Sequence, residues 1–189
     1  MDSKIEHIFV DIDGVLADFT SAALAVHDRA EIMATWPAGE RDIPKVLGLS
    51  RTKYWKGIDG LGCEFWSELV PYPWFKELIS LIESFGPFSL LTAPALAPHC
   101  LEGKVMWIYK NFPRENGRLF GDFLIGREKH LLASPRRILI DDAEHNADQF
   151  TKHGGHSVLF PQIWNRNHAV EDRLEFVESQ LKQFAGLID

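Results

Sequence analysis

Cysteine is scarce in this chain: Cys63 and Cys100 are the only two among 189 residues. Neither stands in a CxxC pair, which argues against a disulfide framework or a zinc ribbon and leaves two reduced thiols. Also missing is any uncharged apolar run near the ~18 residues that a membrane span needs. The apolar stretch near the N-terminus ends at Val10 and is broken by Asp11 and Asp13. That does not suit a signal peptide, and the compartment expected is the cytoplasm. Positive charge is in deficit, 20 Lys plus Arg against 27 Asp plus Glu, for a net charge of −7. An acidic surface repels a phosphate backbone, so no nucleic-acid polymer is expected as a partner, though a local cation can still hold one small anion. There is no internal repeat and no low-complexity tract. With 46% hydrophobic and 25% charged residues the composition is that of a globular chain. Its length suits one domain with a small insertion and a core that needs no staples.

Apolar runs and helical periodicities alternate along most of the chain. Ile5–Val10, Phe88–Leu91, Phe120–Ile125, Arg137–Ile140 and Ser157–Phe160 read as strands. Leu16–Arg29, the stretch from Pro73 with Trp74, Phe75, Leu78, Ile79 and Ile82, Val105–Phe112, Ala143–Lys152 and Val170–Phe184 read as helices. Such alternation predicts an α/β fold with a parallel sheet. Thr35–Leu69 differs. Pro37, Gly39, Pro44, Gly48, Gly57, Gly60 and Gly62 punctuate it, with Trp36, Tyr54, Trp55, Phe65 and Trp66 between them. That pattern predicts short helices joined by tight turns, a lid rather than part of a sheet.

Ligands of open parallel sheets bind beyond the carboxyl ends of the strands. Three of the expected strands run into polar residues there: Asp11 with Asp13, Thr92, and Asp141 with Asp142. The sharpest signal is Phe9-Val10-Asp11-Ile12-Asp13-Gly14. Two carboxylates two residues apart at a strand end can face one site, one as nucleophile and the other as proton donor if their environments differ. Gly14 lets the backbone turn behind them. A calcium loop is rejected, because the remaining ligands and the terminal Glu do not follow. A phosphate-binding loop at Gly103-Lys104 is rejected too, since Pro98 and Val105 stand where Gly and Ser or Thr are needed. The histidines form no ligand cluster.

The chain resembles the haloacid dehalogenase (HAD) superfamily of phosphatases. The D-x-D-G segment (Asp11, Asp13, Gly14), Leu90-Leu91-Thr92-Ala93, a later lysine, and Ile138-Leu139-Ile140-Asp141-Asp142 follow that superfamily's order. Within it, Asp13-Gly14-Val15-Leu16-Ala17-Asp18-Phe19 and Phe65-Trp66-Ser67-Glu68-Leu69-Val70-Pro71-Tyr72-Pro73 are similar to segments of the 5'(3')-deoxyribonucleotidases. So is Thr92-Ala93-Pro94 followed by Gly103-Lys104-Val105-Met106-Trp107. The likeness spans about residues 5 to 142. Ala93 stands where the family has Ser, and Ala30–Leu49 diverges.

The resemblance implies a Rossmann-like parallel sheet flanked by helices with a small helical cap inserted after the first strand. The core would take residues 1–29 and 73–189 and the cap residues 30–72. It implies Asp11 as nucleophile and Asp13 as general acid and base. Mg²⁺ would be held by Asp11, the Asp13 carbonyl and an acid of the Asp141-Asp142 pair, with Asp142 preferred for direct contact over Asp141 although the sequence does not separate the two. Thr92 would donate to phosphate, and Lys104 would neutralise the phosphate and Asp11, with Lys129 as the competing lysine. Ala93 would line the phosphate site. Arg127 and Lys129 are either further phosphate contacts or surface charge. Phe19, Phe65 and Trp66 either stack on a base or form the lid's own core. The reaction implied is Mg²⁺-dependent hydrolysis of nucleoside monophosphates, 5'(3')-deoxyribonucleotides first. Another small ester such as a sugar phosphate, or a catalytically idle binding protein, is the alternative. The expected partner is a small phosphorylated substrate, with no membrane and a homodimer left open.

Overall fold

The computed structural model describes residues 5–112 and 117–187. Residues 1–4, the first of the expected core domain, lie outside that range. Five strands form one parallel sheet: β1 (His7–Val10), β2 (Phe88–Thr92), β3 (Phe123–Ile125), β4 (Arg137–Asp141) and β5 (His156–Leu159), in the order β3-β2-β1-β4-β5. Val10 lies level with Leu90 on one side and Ile140 on the other. The ends of β1, β2 and β4 therefore open onto one edge. Both faces of the sheet are covered, and this is why its strands are apolar runs rather than alternating ones. Ile8, Val10, Leu90, Ile138 and Ile140 enter the main core, while Phe9, Leu91 and Leu139 pack with Phe150 on the other face.

The helices are α1 (Phe19–Val26), α2 (Ile43–Leu47), α3 (Arg51–Asp59), α4 (Gly62–Ser67), α5 (Phe75–Phe85), α6 (His99–Asn111), α7 (Glu144–Lys152) and α8 (Arg173–Leu187). Some bounds differ from the sequence reading. The first helix starts at Phe19 because Asp18 caps it, accepting from Ser21 N at 3.0 Å. Helix α6 begins at His99, which puts Lys104 inside it. Strand β3 begins only at Phe123; Phe120 instead stacks on Phe112 at 4.7 Å and Phe88 at 6.0 Å.

Residues 30–72 hold a 3-10 turn (Ala30–Thr35) and α2 to α4. Their side chains do not form a separate core. Trp36, Leu47, Tyr54, Ile58, Phe65 and Trp66 are continuous with Ile8, Val10 and Ile140 of the sheet. The seam is closest between α4 and α6. A Cβ on Gly103 would stand 2.4 Å from Cys63 O and 2.5 Å from Trp66 Cβ. Trp107 on the same helix donates through Nε1 to Leu69 O at 2.7 Å. Gly103→Ala is therefore expected to destabilise by about 1–3 kcal/mol, overpacking the seam by more than the better helix propensity returns. Urea denaturation would read this as a lower midpoint, and an unchanged or higher midpoint would refute the tight seam.

Candidate active site

The site is assembled where β1, β2 and β4 end. Asp11 follows β1 directly, and its N–H still donates to Ile140 O at 2.9 Å, so its side chain stands beside the end of β4. The chain then coils tightly, with Leu16 N and Ala17 N both donating to Ile12 O at 2.8 Å. Gly14 allows the coil, with φ of 78°. It also admits Asp142: a Cβ on Gly14 would lie 2.4 Å from Asp142 Oδ2. One glycine thus serves the turn and the approach of an acid from the other end of the chain.

Carboxylate oxygens of Asp11, Asp141 and Asp142 lie within 4.8 Å of one another, and all three residues are buried. Lys129, 2% exposed, joins two of them: its Nζ is 2.9 Å from Asp11 Oδ2 and 2.6 Å from Asp141 Oδ2. Burial opposes its charge, but Asp11 and Asp141 outweigh burial and hold the ammonium above its ordinary range. Asp141 has spent its oxygens. Oδ2 also accepts from Asn146 Nδ2 at 2.9 Å, and Oδ1 accepts from Ala143 N at 2.8 Å. Asp142 has not. Trp164 Nε1 donates to its Oδ2 at 2.6 Å and Arg41 Nη1 lies 3.4 Å from the same oxygen, whereas Oδ1 is buried with no partner. Burial pushes the pKa of both carboxyls up, only partly offset by Lys129 at Asp141 and Arg41 at Asp142. An open, buried carboxylate oxygen beside further acidic oxygens fits a hard divalent cation such as Mg²⁺.

Across the same edge stand the other polar groups. Lys104, 1% exposed, reaches Asp13 Oδ2 at 2.6 Å and Thr92 Oγ1 at 2.9 Å, with Trp66 beneath its Nζ at 5.1 Å from the ring centre. Burial raises the Asp13 carboxyl; Lys104 opposes that and the Asp11 charge adds to it. Lys104 was expected beside Asp11; instead Lys129 is on Asp11, and Lys104 serves Asp13 and Thr92. Nor is Lys129 surface charge, because a short 3-10 turn (Lys129–Leu132) folds it inward under the acids.

A cleft of about 1230 Å³ rises from this edge into the helical insertion. Asp13, Phe19, Trp66, Ala93, Arg127 and Asp142 line it. Phe19 stacks on Trp66 with ring centres 5.5 Å apart. Phe65 stands behind them, edge-on to both, and does not line the cleft. Arg127 is exposed at the mouth, where its Nη2 donates to Pro94 O at 2.8 Å. Sequence reasoning passed over Arg41, Trp55 and Trp164, which line the cleft too, and Asn165, which holds Asp142 O at 2.9 Å. The only signal they gave was an aromatic-rich, glycine-punctuated lid and an asparagine after the last strand.

Three buried acids whose pKa values are raised by burial make the metal-free protein sensitive to pH. Above the ordinary carboxylate value of 3.8 the folded state keeps protons that the unfolded chain releases, so stability falls as pH rises. Each such group contributes at most about 1.4 kcal/mol per pH unit in that window. Asp142→Asn should raise the melting midpoint of the metal-free protein at pH 7 and flatten this slope. Calorimetry from pH 4 to 7 checks both, and a variant that melts lower at pH 7 would contradict the charge balance described.

The structure is similar to a HAD family hydrolase from Deinococcus radiodurans solved with phosphate and sodium. Identity there is 14%, 99% of each chain is covered, and the TM-score is 0.57. It is also similar to a haloacid dehalogenase-like hydrolase from Streptococcus pneumoniae, at 15% identity and a TM-score of 0.54, covering 96% of this chain and 91% of that one. At such identities the likeness concerns the fold. No curated protein matches the sequence. The family model described as 5' nucleotidase, deoxy (pyrimidine), cytosolic type C protein matches residues 4–181. With a match over nearly its whole length, the chain belongs to that nucleotidase family, a hydrolase of the haloacid dehalogenase fold.

Proposed function

We propose that the protein hydrolyses the phosphate monoester of nucleoside monophosphates, 5'(3')-deoxyribonucleotides first, with Mg²⁺ and through an aspartyl-phosphate on Asp11. The observation that carries the reading is the meeting of Asp11, Asp141 and Asp142 within 4.8 Å, with Asp142 lining a cleft walled by stacked aromatics.

Asp11 Oδ1 accepts from Ile12 N at 2.8 Å and its Oδ2 from Lys129 at 2.9 Å, so the carboxylate is fixed in orientation. It attacks phosphorus in line, forming the acyl phosphate as the ester oxygen leaves. Asp13, whose carboxyl burial pushes up against the pull of Lys104, gives that oxygen its proton and then takes one from the water that hydrolyses the intermediate. Thr92 and Lys104, bonded to each other at 2.9 Å, would bind phosphoryl oxygens. Asp11, the Asp13 carbonyl and the open Oδ1 of Asp142 are the oxygens that would hold Mg²⁺, with Asp141 orienting them through Lys129. When bound, the ion offsets the repulsion between a carboxylate nucleophile and an anionic ester. Phe19, Trp66 and Trp55 offer ring faces to a base; Trp55 is 36% exposed with its ring centre 6.4 Å from that of Phe19.

Phosphate release from a panel of nucleotides and sugar phosphates, with Mg²⁺ and with EDTA, tests the reading. Turnover of nucleoside monophosphates is expected with Mg²⁺ only. Asp11→Asn should fall to background, and Asp13→Asn should lose about 10²–10⁴-fold. A sugar phosphate faster than every nucleotide would refute the substrate, and full activity of Asp11→Asn would refute the mechanism.

A further inference from the structure

Arg41 has no task in that chemistry, yet its placement is built. It stands on the strap between the first 3-10 turn and α2. Gly39 N donates to Ile163 O at 2.8 Å and Trp36 Nε1 to Glu40 O at 2.8 Å. The Trp36 ring is edge-on to Trp164, with centres 6.3 Å apart. The strap is thus fastened to the segment that holds Asp142, because Trp164 donates to Asp142 Oδ2. The acids flanking Arg41 are engaged elsewhere. Glu40 accepts from Asp42 N and pairs with Lys45, while Asp42 caps α2 and pairs with Arg51 at 3.1 Å. Arg41 therefore turns to the buried cluster, with Nη1 3.4 Å from Asp142 Oδ2 and its side chain 45% exposed to the cleft.

A guanidinium cannot shed its charge, and it offers five N–H donors in a fork that matches two phosphoryl oxygens. Among the described residues Asp142 is the one partner of Arg41, through one nitrogen, so most of the fork is unspent. Beside a divalent ion on Asp142 Oδ1 the guanidinium would be repelled. An anion between the two charges turns repulsion into two attractions. We infer that Arg41 is a phosphoryl clamp carried by the helical insertion, which covers Asp142 in the unloaded site and takes two phosphoryl oxygens once cation and anion enter. The inference rests on the phosphatase reading of this site, though not on the nucleotide as substrate. It has a thermodynamic signature. Arg41 weakens the cation alone and strengthens cation with anion, so the two ligands bind cooperatively through it.

Titration calorimetry with MgCl₂ alone, and with orthophosphate at saturating Mg²⁺, reads both effects. Arg41→Gln should bind Mg²⁺ alone several-fold more tightly and orthophosphate at least about tenfold more weakly. Arg41→Lys, which keeps charge but not the fork, should fall between. Unchanged orthophosphate affinity in Arg41→Gln, with a normal melting midpoint, would overturn the clamp. If the parent binds orthophosphate with Mg²⁺ and shows the Arg41 effect yet hydrolyses no nucleotide, the clamp stands and the nucleotide reading falls. If the parent binds no orthophosphate with Mg²⁺, both fall.

Discussion

Everything at the sheet edge depends on three carboxylates packed closer than their charges tolerate. Asp11, Asp141 and Asp142 are drawn from two strand ends into one buried cluster, and one ammonium, that of Lys129, is the cation placed inside it. Separated buried charges cost several kcal/mol each unless paired. Lys129 satisfies Asp11 and Asp141 and leaves Asp142 open on one oxygen. That remaining imbalance leaves the cluster with an excess of negative charge. Removing one acid relieves the strain and, with it, the reason for a cation to bind, the usual exchange between stability and function at a site.

The second charge group is arranged differently. Lys104 holds Asp13 and Thr92 from a helix that is itself clamped against α4 through Gly103. Lys104, its polar partners and the aromatic wall are therefore parts of one packed body. Trp66 belongs to both, stacking on Phe19 in the cleft and lying under Lys104. A change of shape in the helical insertion reaches Asp13 through Trp66 and Lys104.

The strap that carries Arg41 ties the insertion to the core a second time, at the segment after β5. Two seams, one on α6 and one on Ile163, leave the cleft between them. The cleft is lined by the acids Asp13 and Asp142 and by the cations Arg41 and Arg127.

Much of this was legible in the sequence because it is local. Apolar runs ending in Asp11, Thr92 and Asp141 fix strands and the edge they share, since a parallel sheet buried on both faces allows polar residues only where it stops. Gly14 after a D-x-D pair marks the turn for the same reason, as only glycine takes φ of 78° without strain. What tertiary structure alone decided is which lysine meets which acid. A lysine on a helix and a lysine in a turn look alike as letters, and their burial depends on elements far away in the chain. The same holds for Asp141 against Asp142, which are adjacent in sequence and differ only in the partners that Asn146, Trp164 and Arg41 bring. Local periodicity is set by neighbours in the chain, whereas charge pairing is set by neighbours in space.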